Sequence, residues 1–254
     1  MGKQQRVASR ETRKAQAAIA AQRGRRINWV LTVGGMIIAG LVAAIGLVAF
    51  NAANNDEPTA GGGKLVTPAN LTAAGTIPVG APAAPVTVEI VLDYMCPACG
   101  RFEQANGAEL DRLIQAGTAK VELRPISFLD RTSQGTRYST RAANAMATVA
   151  DRAPEKVWAF NIALYDNQPE EGTRGLSDQR IANLATQAGV GREVVDAFGE
   201  RIFEPWVAKV TEAAFDSGVE GTPRVSINGT VFTSDVYRAG PLTQAVAAAA
   251  KSGT

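Results

Sequence analysis

The tetrad Cys96-Pro97-Ala98-Cys99 follows closely on Val86 to Asp93, a β-branched run bounded before it by Pro82 and Pro85. Such a run reads as a buried strand. The residues after it open a helix near Cys96-Pro97 that runs toward Gln115, with Gly107 as a candidate kink and Gly117 as the stop. The only two cysteines of the 254-residue chain therefore sit three positions apart at a strand-to-helix junction. A second strand is expected at Lys120 to Ile126, where Val121 and Leu123 alternate. A β-α-β unit of this kind is parallel and right-handed.

Residues 138–217 read as helical, with stretches at Tyr138–Asp151, after Pro154, after the N-cap candidate Ser177, from Arg192 to Phe198 and from Pro205 to Ser217. Arg224 to Asn228 and Val231 to Val236 are expected as strands joined by Asn228-Gly229, a strong hairpin signal. A last helix starts near Pro241 and places Leu242, Val246 and Ala249 on one face. The expected fold class is α/β: a small mixed sheet with helices on both faces and a helical block inserted between its two halves.

The chemistry expected at the tetrad follows from its position. At a helix N-terminus the backbone N–H groups are unpaired, and their partial positive charge favours a thiolate on the first cysteine. Pro97 fits the first turn, where its missing N–H is no loss. Cys99 lies one turn further in, so Cys96 is the attacking or attacked sulfur and Cys99 the resolving one. Three other readings compete with a cycling dithiol. Half of a zinc site would need four Cys or His ligands, whereas the chain has two cysteines and no histidine. A pair of ordinary buried thiols and an inert structural disulfide are the other two, although a disulfide closing so short a loop gains little stability from it. The lack of histidine also excludes imidazole general bases and His-based triads. No metal or organic cofactor is required, because a dithiol carries two electrons itself.

Charge divides the chain. Residues 1–26 hold eight Lys/Arg against Glu11 alone, and the remainder carries a net −5. A mildly acidic body argues against nucleic-acid binding. Trp29 to Phe50 is an uncharged run of 22 residues, long enough at ~1.5 Å per residue to cross a hydrocarbon core of about 30 Å. With basic residues before it and Asp56 and Glu57 after it, the positive-inside rule puts residues 1–28 in the cytoplasm as a basic tail and the body outside. The rival is a cleaved signal peptide, whose apolar region is shorter, about 7–15 residues. Residues 51–74, rich in Asn, Ala, Gly, Thr and Pro, read as a flexible linker, and residues 75–254 as the globular domain with its helical insertion at about 132–217.

A second motif comes late: Gly221-Thr222-Pro223 directly before a strand. In isolation it reads equally as a rigid turn or as an ordinary strand-entry proline. Taken together, Cys-Pro-x-Cys at a strand–helix junction and Gly-Thr-Pro before a closing hairpin resemble the thioredoxin superfamily. The helical block between them resembles its DsbA branch, as do Ala84-Pro85-Val86-Thr87-Val88, Asp93-Tyr94-Met95-Cys96 and Arg124-Pro125-Ile126-Ser127-Phe128-Leu129-Asp130-Arg131. The N-terminal apolar segment and Gln168-Pro169-Glu170-Glu171-Gly172 resemble the actinobacterial, membrane-anchored members. The resemblance covers about residues 75–250 and implies a thioredoxin fold.

It further implies Cys96 as nucleophile and Cys99 as resolver, with Pro97 and Ala98 in the active-site loop. Thr222 and Pro223 would lie across from Cys96 and pair with an extended peptide substrate. The implied partners are reduced exported proteins and a membrane reoxidant of the DsbB or VKOR type. A reductase or isomerase, or a binding module with a static disulfide, are the alternatives. Two departures stand out: Ala98 replaces the histidine of many relatives, and Ile90 replaces the strand carboxylate that serves proton transfer to the second cysteine. Glu89 and Asp93 are nearby, but strand alternation turns both away from the face of Ile90. Asp93 matches a second acid common in the family.

Overall fold

The computed structural model describes residues 64–252. The expected basic tail, membrane span and most of the linker lie outside them, and among the described residues no helix is long and apolar enough to cross a membrane. Five strands form one sheet: β1 (Ile77–Val79), β2 (Val86–Leu92), β3 (Ala119–Pro125), β4 (Arg224–Ile227) and β5 (Thr230–Val231), in the order β1-β3-β2-β4-β5. The central pair β2 and β3 is parallel, with Ile90 opposite Leu123, and its crossover is helix α1 (Pro97–Gln115). β1 joins β3, β4 joins β2 and β5 joins β4, all antiparallel.

Alternation in β2 sorts its residues between two faces. Val86, Val88, Ile90 and Leu92 enter the main core beside Phe102 and Leu110 of α1 and Leu242 and Val246 of helix α7 (Pro241–Ser252). Val91 faces the other way and packs with Ile126, Ala214 and Val219. On that face Glu89 accepts from Nε of Arg124 at 2.8 Å.

Between β3 and β4 the chain forms α2 (Tyr138–Arg152), α3 (Val157–Asp166), α4 (Asp178–Gln187), α5 (Arg192–Asp196) and α6 (Glu204–Asp216). α2 is buried from Tyr138 to Ala150. Its small residues, Ala142, Ala143, Ala145, Ala147 and Ala150, let neighbouring helices close in on all sides. Asn144 on it donates to the carbonyl of Phe198 and accepts from the amide of Phe203. Ser177 caps α4 by accepting from the amide of Arg180.

Three readings change. The strand expected over Val231 to Val236 is only Thr230–Val231, because the chain leaves the sheet at a turn where Asp235 accepts from the amide of Tyr237. β1 was not expected at all. The linker reading stops short of residue 74: Ala69 donates to the Asp151 carboxylate, and Asn70 Nδ2 donates to the carbonyls of Ala150 and Asp151 at the end of α2.

Candidate active site

Cys96 is the N-cap of α1, in extended backbone, and Pro97 occupies its first turn. The helix thus opens as its sequence suggests, with the sulfur of Cys96 held where amides are free. Both cysteines are free thiols. Cys96 is 7% exposed and Cys99 is 1% exposed, so an attacking group meets Cys96 first. Ala98 fills the turn between them and packs against the main core.

Thr222 and Pro223 reach the same place from the start of the neighbouring strand, since β4 lies beside β2. The Thr222–Pro223 peptide is cis. The Cys96 thiol donates to the Thr222 carbonyl across 3.2 Å. The Thr222 hydroxyl is buried beside the two sulfurs. All six residues singled out in the sequence therefore gather around one sulfur pair.

The electrostatics separate the two thiols. Cys96 is lowered from 9.0 to about 6, chiefly because the Cys99 thiol donates a hydrogen bond to it; burial opposes the shift, and the Thr222 side chain and the amides of Cys99 and Ala98 add to it. Cys99 is pushed well above its ordinary value, first by burial and then by its role as donor to Cys96. At neutral pH the arrangement holds a thiolate at the helix end and a proton on the sulfur behind it.

Asp93 directly follows β2 and is fully buried. Its carboxylate accepts from the amides of Met95 and Leu129, each at 2.8 Å, and from the Ser139 hydroxyl at 2.7 Å. Burial nevertheless raises it to about 6. Its oxygens tie together the loop before Cys96, the chain after β3 and the start of α2, which is a structural task. Gln168 braces the same loop, donating from Nε2 to the carbonyls of Tyr94 and Cys96. A Cβ on Gly100 would fall 2.1 Å from the Gln168 amide oxygen, so only glycine leaves that brace in place.

Sequence reasoning missed Glu103. It lies on α1 one turn beyond Cys99, and burial raises it to about 7, with an opposing hydrogen bond from Asn161 and a further rise from Asp166. The signal was present in the spacing: Cys99, Glu103 and Gly107 recur every four residues and so stack on one helix face.

The thioredoxin family model matches residues 72–240, well over half of the chain. The chain belongs to the thioredoxin family. Within this family it is DsbA-like. Reduced DsbA from Mycobacterium tuberculosis superposes with a TM-score of 0.58 at 26% identity, covering 70% of this chain and 99% of that one. The reduced disulfide bond oxidoreductase DsbG of the same organism is 27% identical and covers 70% of this chain and 93% of its own, with a TM-score of 0.58. Disulfide bond formation protein D of Bacillus subtilis is 25% identical over 151 residues, 58% of this chain and 65% of that protein. The serine/threonine-protein kinase PknE of M. tuberculosis is 34% identical over 115 residues, but the matched part is only 20% of that protein and 44% of this thioredoxin-family chain.

Proposed function

We propose that this protein is an extracytoplasmic thiol–disulfide oxidoreductase that passes a Cys96–Cys99 disulfide to reduced cysteines of exported proteins. The observation that carries the reading is the asymmetry of the pair: a Cys96 thiol lowered to about 6 at a helix N-terminus, backed by a buried Cys99 that keeps its proton. A low pKa at the first sulfur makes it the better leaving group and stabilises the dithiol form, which favours oxidation of the substrate. The name of the Bacillus subtilis relative, disulfide bond formation protein D, supports the same direction.

In the forward reaction a substrate thiolate attacks Cys96, forming a mixed disulfide and releasing Cys99. A second substrate thiolate then attacks the substrate's own sulfur, leaving Cys96 as thiolate. The Thr222 carbonyl, 3.2 Å from the Cys96 sulfur, sits where an extended substrate backbone could pair with it. The reaction returns to its start when a membrane reoxidant of the DsbB or VKOR type takes two electrons from the dithiol. The run Trp29–Phe50 would hold the domain at the membrane with residues 1–28 inside.

The test is covalent trapping in cells. Cys99→Ala should accumulate mixed disulfides with exported proteins, because the intermediate cannot resolve internally, and Cys96→Ala should accumulate few. Equal trapping by both variants would remove the assignment of roles, and trapping by neither would leave a static disulfide as the better reading.

A further inference from the structure

Glu103 is a buried acid for which the exchange chemistry above has no use. Its Oε1 is buried with no hydrogen-bond partner, and Oε2 accepts only a long bond, 3.5 Å, from Asn161 Nδ2. Asn161 in turn accepts from the Tyr94 hydroxyl at 3.2 Å. The carboxyl borders a cleft of about 410 Å³ between α1 and α3, lined also by Gln104, Asp111, Tyr165 and Asp166. A cleft of this size with polar walls admits water. The place for Oε1 is made by Gly107, where a Cβ would come within 2.6 Å of it. Glycine in mid-helix costs about 1 kcal/mol relative to alanine, and here it leaves room for a carboxyl oxygen.

Cys99 lies four residues before Glu103 on the same helix, a spacing that sets Cβ atoms about 5–6 Å apart. The same two tyrosines, Tyr94 and Tyr165, feel the charges of both Cys99 and Glu103. We propose that Glu103 holds the proton that the Cys99 sulfur takes up when the Cys96–Cys99 disulfide opens and gives back when it closes. The proposal rests on the redox reading of the cysteine pair. When a substrate thiolate attacks Cys96, the bond between the two protein sulfurs breaks and its electron pair leaves on Cys99. The proton of the Glu103 carboxyl passes to that sulfur, one helical turn away. The carboxylate left behind is reprotonated from water of the cleft. On reoxidation the Cys99 thiol returns its proton to the Glu103 carboxylate and its sulfur attacks the Cys96 sulfur of the mixed disulfide, displacing the oxidant's thiolate.

The groups that face Glu103 are Cys99 and Asp111 on its own helix, Asn161, Tyr165 and Asp166 on α3, and Tyr94 from the loop after β2. The tyrosines are pushed well above their ordinary range by burial and stay neutral. Glu103 itself is raised to about 7, so it exchanges a proton at neutral pH while Cys99 does not ionise unaided.

The experiment follows reduction of the full chain's disulfide by dithiothreitol from pH 5 to 9, with rates divided by the concentration of reagent thiolate. In the wild type the corrected rate should fall as pH rises through about 7, because the deprotonated carboxyl no longer supplies the leaving sulfur with a proton. Glu103→Gln should lose that inflection and slow the reaction at low pH by about 10²-fold. Gly107→Ala favours the helix but evicts Oε1 from its recess, and should move the inflection toward the ordinary carboxylate range. In the wild type, side-chain carboxyl ¹³C shifts should show one Glu titrating near 7, at a different midpoint in the dithiol and disulfide forms. A wild-type profile in both variants, or one midpoint in both redox forms, would overturn the role of Glu103 while leaving the cysteine pair intact. Failure of the wild-type cysteines to form any reducible disulfide would instead overturn the redox reading beneath it.

Discussion

At Cys96 the groups that favour the thiolate are hydrogen-bond donors: the Cys99 thiol first, then the Thr222 side chain and two amides of the first turn. The Ala98 side chain adds neither charge nor hydrogen bond. The pH consequence has a definite sign. In the dithiol form the folded pKa, about 6, lies below the ordinary 9.0. The resulting stabilisation is complete above the higher value and is lost as pH falls through the lower one. The disulfide form has no such thiol to ionise, so the melting temperature of the dithiol protein should gain on that of the disulfide protein as pH is raised from about 6 to 9. Scanning calorimetry of both forms at several pH values checks this; a constant difference would mean that Cys96 is not acidic. A positive charge next to the thiolate should strengthen the effect. Ala98→His should therefore make the protein more oxidising when equilibrated against glutathione, each ~30 mV corresponding to about 1.4 kcal/mol. The wild-type potential is expected between ~−120 and ~−270 mV, and a value at or below the lower limit would favour a reductase.

Asp93 shows how separate elements are locked to one another. It joins the end of β2, the amide of Leu129 after β3 and Ser139 in the first turn of α2. Asp93→Ala strands three buried donors and should cost about 3 kcal/mol or more in urea unfolding. A loss under 1 kcal/mol would mean water replaces the carboxylate. Because burial raises Asp93 to about 6, its share of stability is fully present below the ordinary carboxylate pKa and is lost as pH rises through about 6. The elements themselves were legible to different degrees. β2, α1 and β3 stood out because β-branched runs, a first-turn proline and a stop glycine all agree. β1 did not, since three residues with Pro78 at the centre carry no period, and its pairing with Val121–Leu123 is entirely long-range. β5 was overestimated because Val231 and Phe232 have strand-like side chains, whereas the backbone turn that ends the strand leaves a weak mark. In the site, the cysteines and Thr222-Pro223 were legible as motifs. Glu103 was not, because an acid on a helix is ordinary until the structure shows it buried against Gly107.

On the scale of the whole molecule, the domain in residues 64–252 leaves the N-terminal apolar run to be tested directly. As a retained anchor, Trp29–Phe50 should keep the full chain in the membrane fraction through a high-salt wash, and a protease added outside should digest the body. A soluble mature form beginning near residue 52 would identify a cleaved signal instead. The strand order bears on a different hazard. A protein that handles reduced, unfinished chains is surrounded by backbone seeking strand partners, and an open sheet edge would recruit them into aggregates. Both edges of this sheet are poor templates. β1 is three residues long and Pro78 removes one of its donors, while β5 is two residues long and the chain turns away after it. The sheet is thus blunted at both ends, and the domain can meet sticky clients at high local concentration without seeding β-aggregation through its own framework.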